Sequence, residues 1–137
     1  MTTTTLTNHQ ARARADYLNI ALWTFQGWIV MFFIAAGYAK LSEPMENLIV
    51  LMQWPAAASE AFVRGLGVAE IILAAMVLAP LVSWRFGRPL LLTAAAGLLI
   101  LESIALGVHA FGLDLGLSLT NVFLIAITAP VLWLRRR

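Results

Sequence analysis

The chain has 137 residues, 61% of them apolar and 12% charged, with a mean hydropathy of +0.86, a composition that excludes an ordinary soluble globular domain. Cysteine is absent, which excludes disulfides, thiolate metal ligands and redox reactions on the protein's own thiols. The net charge is only +2, and Arg12, Arg14 and Arg135 to Arg137 place most of the cations in the two tails, a pattern of membrane orientation rather than of nucleic-acid binding.

In chain order, residues 1–16 read as a polar tail, with Thr2 to Thr5 as a disordered run, and residues 17–137 as a single membrane domain. The first apolar stretch, Leu18 to Ala39, is too long for a signal-peptide core and is expected to stay as a membrane helix. Between it and the second span, Pro44 to Gln53 predicts a short helix with Ser42 as its N-cap. Followed by Trp54 and Pro55, this segment either lies in the interface and closes the bundle or acts as a lid over a cavity. The remaining spans run from Phe62 to Pro80, from Pro89 to Phe111 and from Leu117 to Leu134, the last expected to kink at Pro130. The fold class is therefore all-α: a four-helix transmembrane bundle with a short interfacial or re-entrant helix between helices one and two. Four such spans leave no room for a separate soluble catalytic domain.

Lys and Arg concentrate in both tails and in the Ser83 to Arg88 turn, with only Lys40 and Arg64 elsewhere. The positive-inside rule then puts both termini in the cytoplasm. Small residues in the first three spans, such as Gly37, Ala74 and Ala94, are expected to let helices approach closely. Asn19, Gln26, Asn121 and Thr128 suit interhelical hydrogen bonds, and the five tryptophans read mostly as interfacial anchors.

The residues that carry chemistry are those a bilayer should exclude. A charge held in hydrocarbon costs about 2.5 to 3.5 kcal/mol, so Glu70 and Glu102 need a reason to be there. Each is expected roughly 12 to 14 Å below the outer end of its helix, and the second and third spans are antiparallel neighbours, so both carboxyls fall at one level if both faces point inward. His109, seven residues beyond Glu102, shares its face. Lys40 is the expected internal cation, because Arg64 lies six residues from Glu70 and points elsewhere. Two carboxyls in one low-dielectric site would share a proton and suit proton exchange or a quinone-like carbonyl. A neighbouring Lys or His would instead hold a carboxylate charged. The same groups also serve a purely structural network that fixes helix register. No metal is expected, since two acids and one His without an E-x-x-H pair miss the di-iron pattern, and His9 is too far from His109 for a shared haem.

This arrangement resembles the DoxX family of small four-helix membrane proteins. The resemblance rests on AAGYAKL at residues 35–41, the short segment ending in Trp54 and Pro55, and GLGVAEIILAAMVL at residues 65–78, and it extends from Trp28 to His109. It implies a bacterial or archaeal cytoplasmic (inner) membrane protein, in a clan that includes small quinone-linked subunits, with Lys40 and Glu70 at positions usual in that pattern. The expected function is an accessory subunit of a membrane oxidoreductase or electron-transfer complex that binds or shields a lipophilic quinone. Quinone or lipid is the expected non-covalent ligand. The expected partners are the bilayer, other membrane subunits or a second copy of the chain, and not nucleic acid. A scaffold without ligand is the alternative, and a small proton-coupled transporter a third, although that class carries its acid in helix one and none lies between Leu18 and Ala39.

Overall fold

The computed structural model describes residues 7–137; Thr2 to Thr5 lie outside them. It contains five α-helices, α1 (Asn8–Ser42), α2 (Met45–Met52), α3 (Glu60–Val77), α4 (Trp84–Phe111) and α5 (Leu115–Arg135), with 3-10 turns at Trp54–Ala57 and Ala79–Leu81. Four of these are long and apolar enough to cross a membrane. They form a ring in which α1 packs on α3, α3 on α4, α4 on α5 and α5 back on α1. Chain order makes every neighbour antiparallel, so one end of the bundle carries both termini and the α3–α4 turn. The opposite end carries α2 and the α4–α5 loop.

All four spanning helices start before their apolar stretches, α1 and α4 by the most. α1 begins at Asn8 instead of Leu18 because Thr7 and Gln10 form a capping box: the Thr7 hydroxyl accepts from the Gln10 amide, and the Gln10 side chain accepts from the Thr7 amide at 3.0 Å. Arg12 and Arg14 continue the helix without needing burial, since arginine is a good helix former. At roughly 50 Å, α1 exceeds the bilayer core and projects beyond it. α4 begins at Trp84, and Pro89 sits inside it; the proline removes one donor to the Arg85 carbonyl without ending the helix. Pro130 likewise lies within a continuous α5.

Close contact in this bundle comes from missing side chains, as expected where lipid removes the hydrophobic drive between helices. A Cβ on Gly37 would stand 2.7 Å from the Gly67 carbonyl oxygen, and one on Gly67 would stand 2.8 Å from that of Gly37. Gly87 is tighter still, its Cβ position lying 2.3 Å from the backbone of Ala79 and Pro80, so α4 is seated directly on the turn that precedes it. Around these points Ile29, Phe33, Leu91, Leu98, Leu124 and Val131 make a continuous core.

At the loop end, Ser42 does not cap α2. It is the last residue of α1 and its hydroxyl donates back to the Tyr38 carbonyl at 2.9 Å, while Pro44 occupies the cap position. Ser59 caps α3 and Asp114 caps α5. The chain turns sharply at Gln53 and at Leu113, both with positive φ, 62° and 58°. The Gln53 amide donates to the Asp114 carboxylate at 2.9 Å, which ties the end of α2 to the α4–α5 loop.

Candidate functional site

Lys40 and Glu70 are both buried, 4% and 6% exposed. The ammonium donates to both carboxylate oxygens, at 3.0 and 2.8 Å. The glycines on α1 and α3 make this possible, since Gly67 leaves room for the Lys40 Cβ and Gly37 leaves room for the Glu70 Cβ. Arg64 lies on a different face, as its spacing from Glu70 suggested. It points away from Glu70 and donates to the carbonyls of Lys40 and Glu43 and to the Glu60 carboxylate, satisfying orphan acceptors at the C-terminus of α1 with a cation.

Glu102 is 1% exposed. Its Oε1 accepts a hydrogen bond from the Thr128 hydroxyl of α5 at 2.8 Å, and its Oε2 has no partner among the described residues. Among the described residues no hydrogen bond joins the two carboxyls, so the arrangement is two separate acid sites: a neutralised pair on α1 and α3, and a half-satisfied carboxyl on α4. Asn121, which shares the Thr128 face, bonds within its own helix to the Leu117 carbonyl, correcting the expectation of an interhelical bond there.

Both sites open onto one cavity of about 320 Å³ at the loop end of the bundle. Lys40, Glu70, Glu102 and His109 all line it, together with apolar side chains from α1, α3, α4 and α5. Met52 and Trp54 are also in the lining, Trp54 standing edge-on to Phe62 with ring centroids 6.3 Å apart. The segment after α1 thus contributes side chains to the cavity wall. Pro55 is buried but is not part of the lining.

A second polar cluster, which the sequence reading did not find, occupies the terminal end. Arg135, by its position in the sequence a tail cation, is only 8% exposed. It donates to the Gln26 side chain at 3.0 Å and to Asn19 at 2.8 Å, and its guanidinium lies 5.1 and 5.2 Å from the ring centroids of Trp23 and Trp84. Gln26 also donates to the Val77 carbonyl at 3.3 Å, tying α1 to the end of α3. The signal was present in two amides seven residues apart on one face of the first span, but their partner is more than a hundred residues away.

A four-helix bundle with small-residue crossings, an intramembrane ion pair and an internal polar cavity defines a multi-pass membrane protein of compact size. A family model described as the DoxX-like family matches residues 24–131, and the chain belongs to that family. The match extends past both ends of the segment on which the resemblance was first seen, taking in Trp28 to His109 and, on α5, Thr128. No curated protein and no solved structure matches the chain.

Proposed function

We propose that this protein is an accessory subunit of a membrane oxidoreductase or electron-transfer complex, and that its cavity holds the headgroup of a lipophilic quinone while the tail stays in the lipid. The observation that carries this reading is the free Oε2 of Glu102, buried beside a cavity of about 320 Å³. A buried polar atom without a partner costs about 1–3 kcal/mol, a cost that a ligand hydroxyl would offset. The cavity lies at the lower end of the size range of small-molecule sites and has their composition, mostly apolar walls with a few polar groups. Glu102 would meet a quinol hydroxyl, and His109, in the same lining, offers a second polar contact. Lys40 and Glu70 neutralise each other and serve best as the clamp that shapes the wall.

The bilayer placement follows the cation pattern, with both termini cytoplasmic in a bacterial or archaeal inner membrane. The closed Lys40–Glu70 pair also supports a second reading, a purely structural subunit in which the acids only fix helix register. Photoaffinity labelling with an azido-quinone separates the two. Labels on the α4 face from Leu101 to His109 and on Trp54, lost when Glu102 becomes Gln, are expected from the quinone site. Labelling confined to lipid-facing residues such as Phe111 or Leu119 would leave the structural reading.

A further inference from the structure

A groove of about 360 Å³ lies at the terminal end of the bundle between α1, α4 and α5. Its lining combines the cations Arg88, Arg135 and Arg137 with Leu18, Leu22 and Leu134. We propose that this groove binds the phosphate headgroup of an anionic phospholipid, with the first carbons of its chains against the leucines.

The argument rests on Arg135. Its guanidinium is withdrawn from water, and among the described residues its hydrogen-bond and cation–π partners are formally neutral: two side-chain amides and two indole rings. Its Nη2 has no acceptor among the described residues. Both ion pairs found among the described residues, Lys40 with Glu70 and Arg64 with Glu60, belong to the opposite end. Of the acidic side chains in the sequence only Asp16 lies at this end, where it is exposed, residues 1–6 contain none, and neither ion pair involves the α-carboxylate of Arg137. A buried cation without a counter-charge is strongly disfavoured, and the missing partner is an anion.

The groove also defines which anion. Arg88 is held in place by donating to the carbonyls of Arg135 and Arg136, so the groove is lined by two positioned guanidinium side chains, donors that suit phosphate oxygens. The leucine wall suits acyl chains and not a soluble polyanion. Arg12, Arg14, Arg85 and Arg136 add to the positive potential at the same end, where membrane-surface cations gather anionic lipid.

The test is native mass spectrometry of the full chain released from dodecylmaltoside micelles doped with equal amounts of phosphatidylglycerol and phosphatidylcholine. The wild type is expected to retain one phosphatidylglycerol per chain. Because Arg135→Gln removes bonds that join helices, the informative variant is Arg88→Gln with Arg137→Gln, which is expected to reduce retention by about tenfold or more. Arg12→Gln with Arg14→Gln removes the same charge outside the groove and is expected to leave retention within about twofold. Equal retention of the two lipids, or equal losses in the two double variants, would overturn the proposal. Displacement of the lipid by millimolar inorganic phosphate would overturn it in favour of a soluble ligand. Unfolding of the Arg88 variant, checked by circular dichroism, transfers the test to Arg137→Gln alone, for which unchanged retention counts against the groove.

Discussion

Lys40 and Glu70 each stand opposite a glycine of the other's helix, Gly67 and Gly37 respectively. The ammonium reaches one turn along the crossing to meet the carboxylate at 2.8 Å. The close approach of α1 and α3 and the intramembrane ion pair are therefore one device: without the glycines the charges could not meet, and without the pair the approach would bury an unmatched charge.

The pair itself is expected to show a characteristic asymmetry. Removing one partner, in Glu70→Gln or Lys40→Met, leaves a charged or polar group without its match and should cost about 3–5 kcal/mol. Removing both, in Lys40→Met with Glu70→Leu, should cost far less than the sum, because a well-packed apolar pair replaces an ion pair at little net loss. Equilibrium unfolding in dodecyl sulfate and dodecylmaltoside mixtures, followed by circular dichroism, checks this. Additive losses would show that the two side chains do not depend on each other.

The glycine crossing has its own consequence. Gly67→Ala places a methyl 2.8 Å from both the Gly37 carbonyl oxygen and the Lys40 Cβ, and backbone must move to relieve it. A loss of about 1–3 kcal/mol is expected. Gly65→Ala, where a Cβ meets nothing within 4 Å, should be neutral or mildly stabilising, since alanine favours helix. Equal behaviour of the two variants in the same unfolding assay would contradict the crossing.

Leu113 offers a stabilising change. It follows α4 with φ of 58°, and its side chain is 86% exposed, so an L-residue adopts a left-handed conformation with no packing in return. Glycine just after a helix avoids that cost. Leu113→Gly is expected to raise stability by about 1 kcal/mol, while Gly112→Leu, at φ of −76°, should gain nothing. A destabilised Leu113→Gly protein would show that the exposed leucine contributes through contacts absent from the isolated chain.

Much of this architecture was legible because a bilayer imposes simple rules. Four apolar runs give four spans, and Glu70, Glu102 and Lys40 are conspicuous because charges are rare in hydrocarbon. Choosing Lys40 over Arg64 needed only helical spacing. Helix ends were less legible: capping by Thr7 and Gln10 extends α1 over a polar segment that hydropathy cannot register. Least legible were contacts between distant segments. Nothing local shows that Thr128 meets Glu102, or that Arg135 folds back between Trp23 and Trp84 while its neighbours Arg136 and Arg137 stay exposed. A cation at the end of a span ordinarily reaches for water, and only three-dimensional packing with Gln26 and Asn19 reverses that here.

The most direct measurement of the central claim is equilibrium binding of a short-tailed quinol to the purified full chain, followed by tryptophan fluorescence, since Trp54 lines the cavity. The wild type should bind saturably with one ligand per chain. Ala105→Trp, which fills the space between Glu102 and His109, should abolish binding, and Glu102→Gln should weaken it by about tenfold or more through the altered hydrogen bond. Undiminished binding in the folded Ala105→Trp protein, or no saturable binding by the wild type, would contradict a quinone site in this cavity.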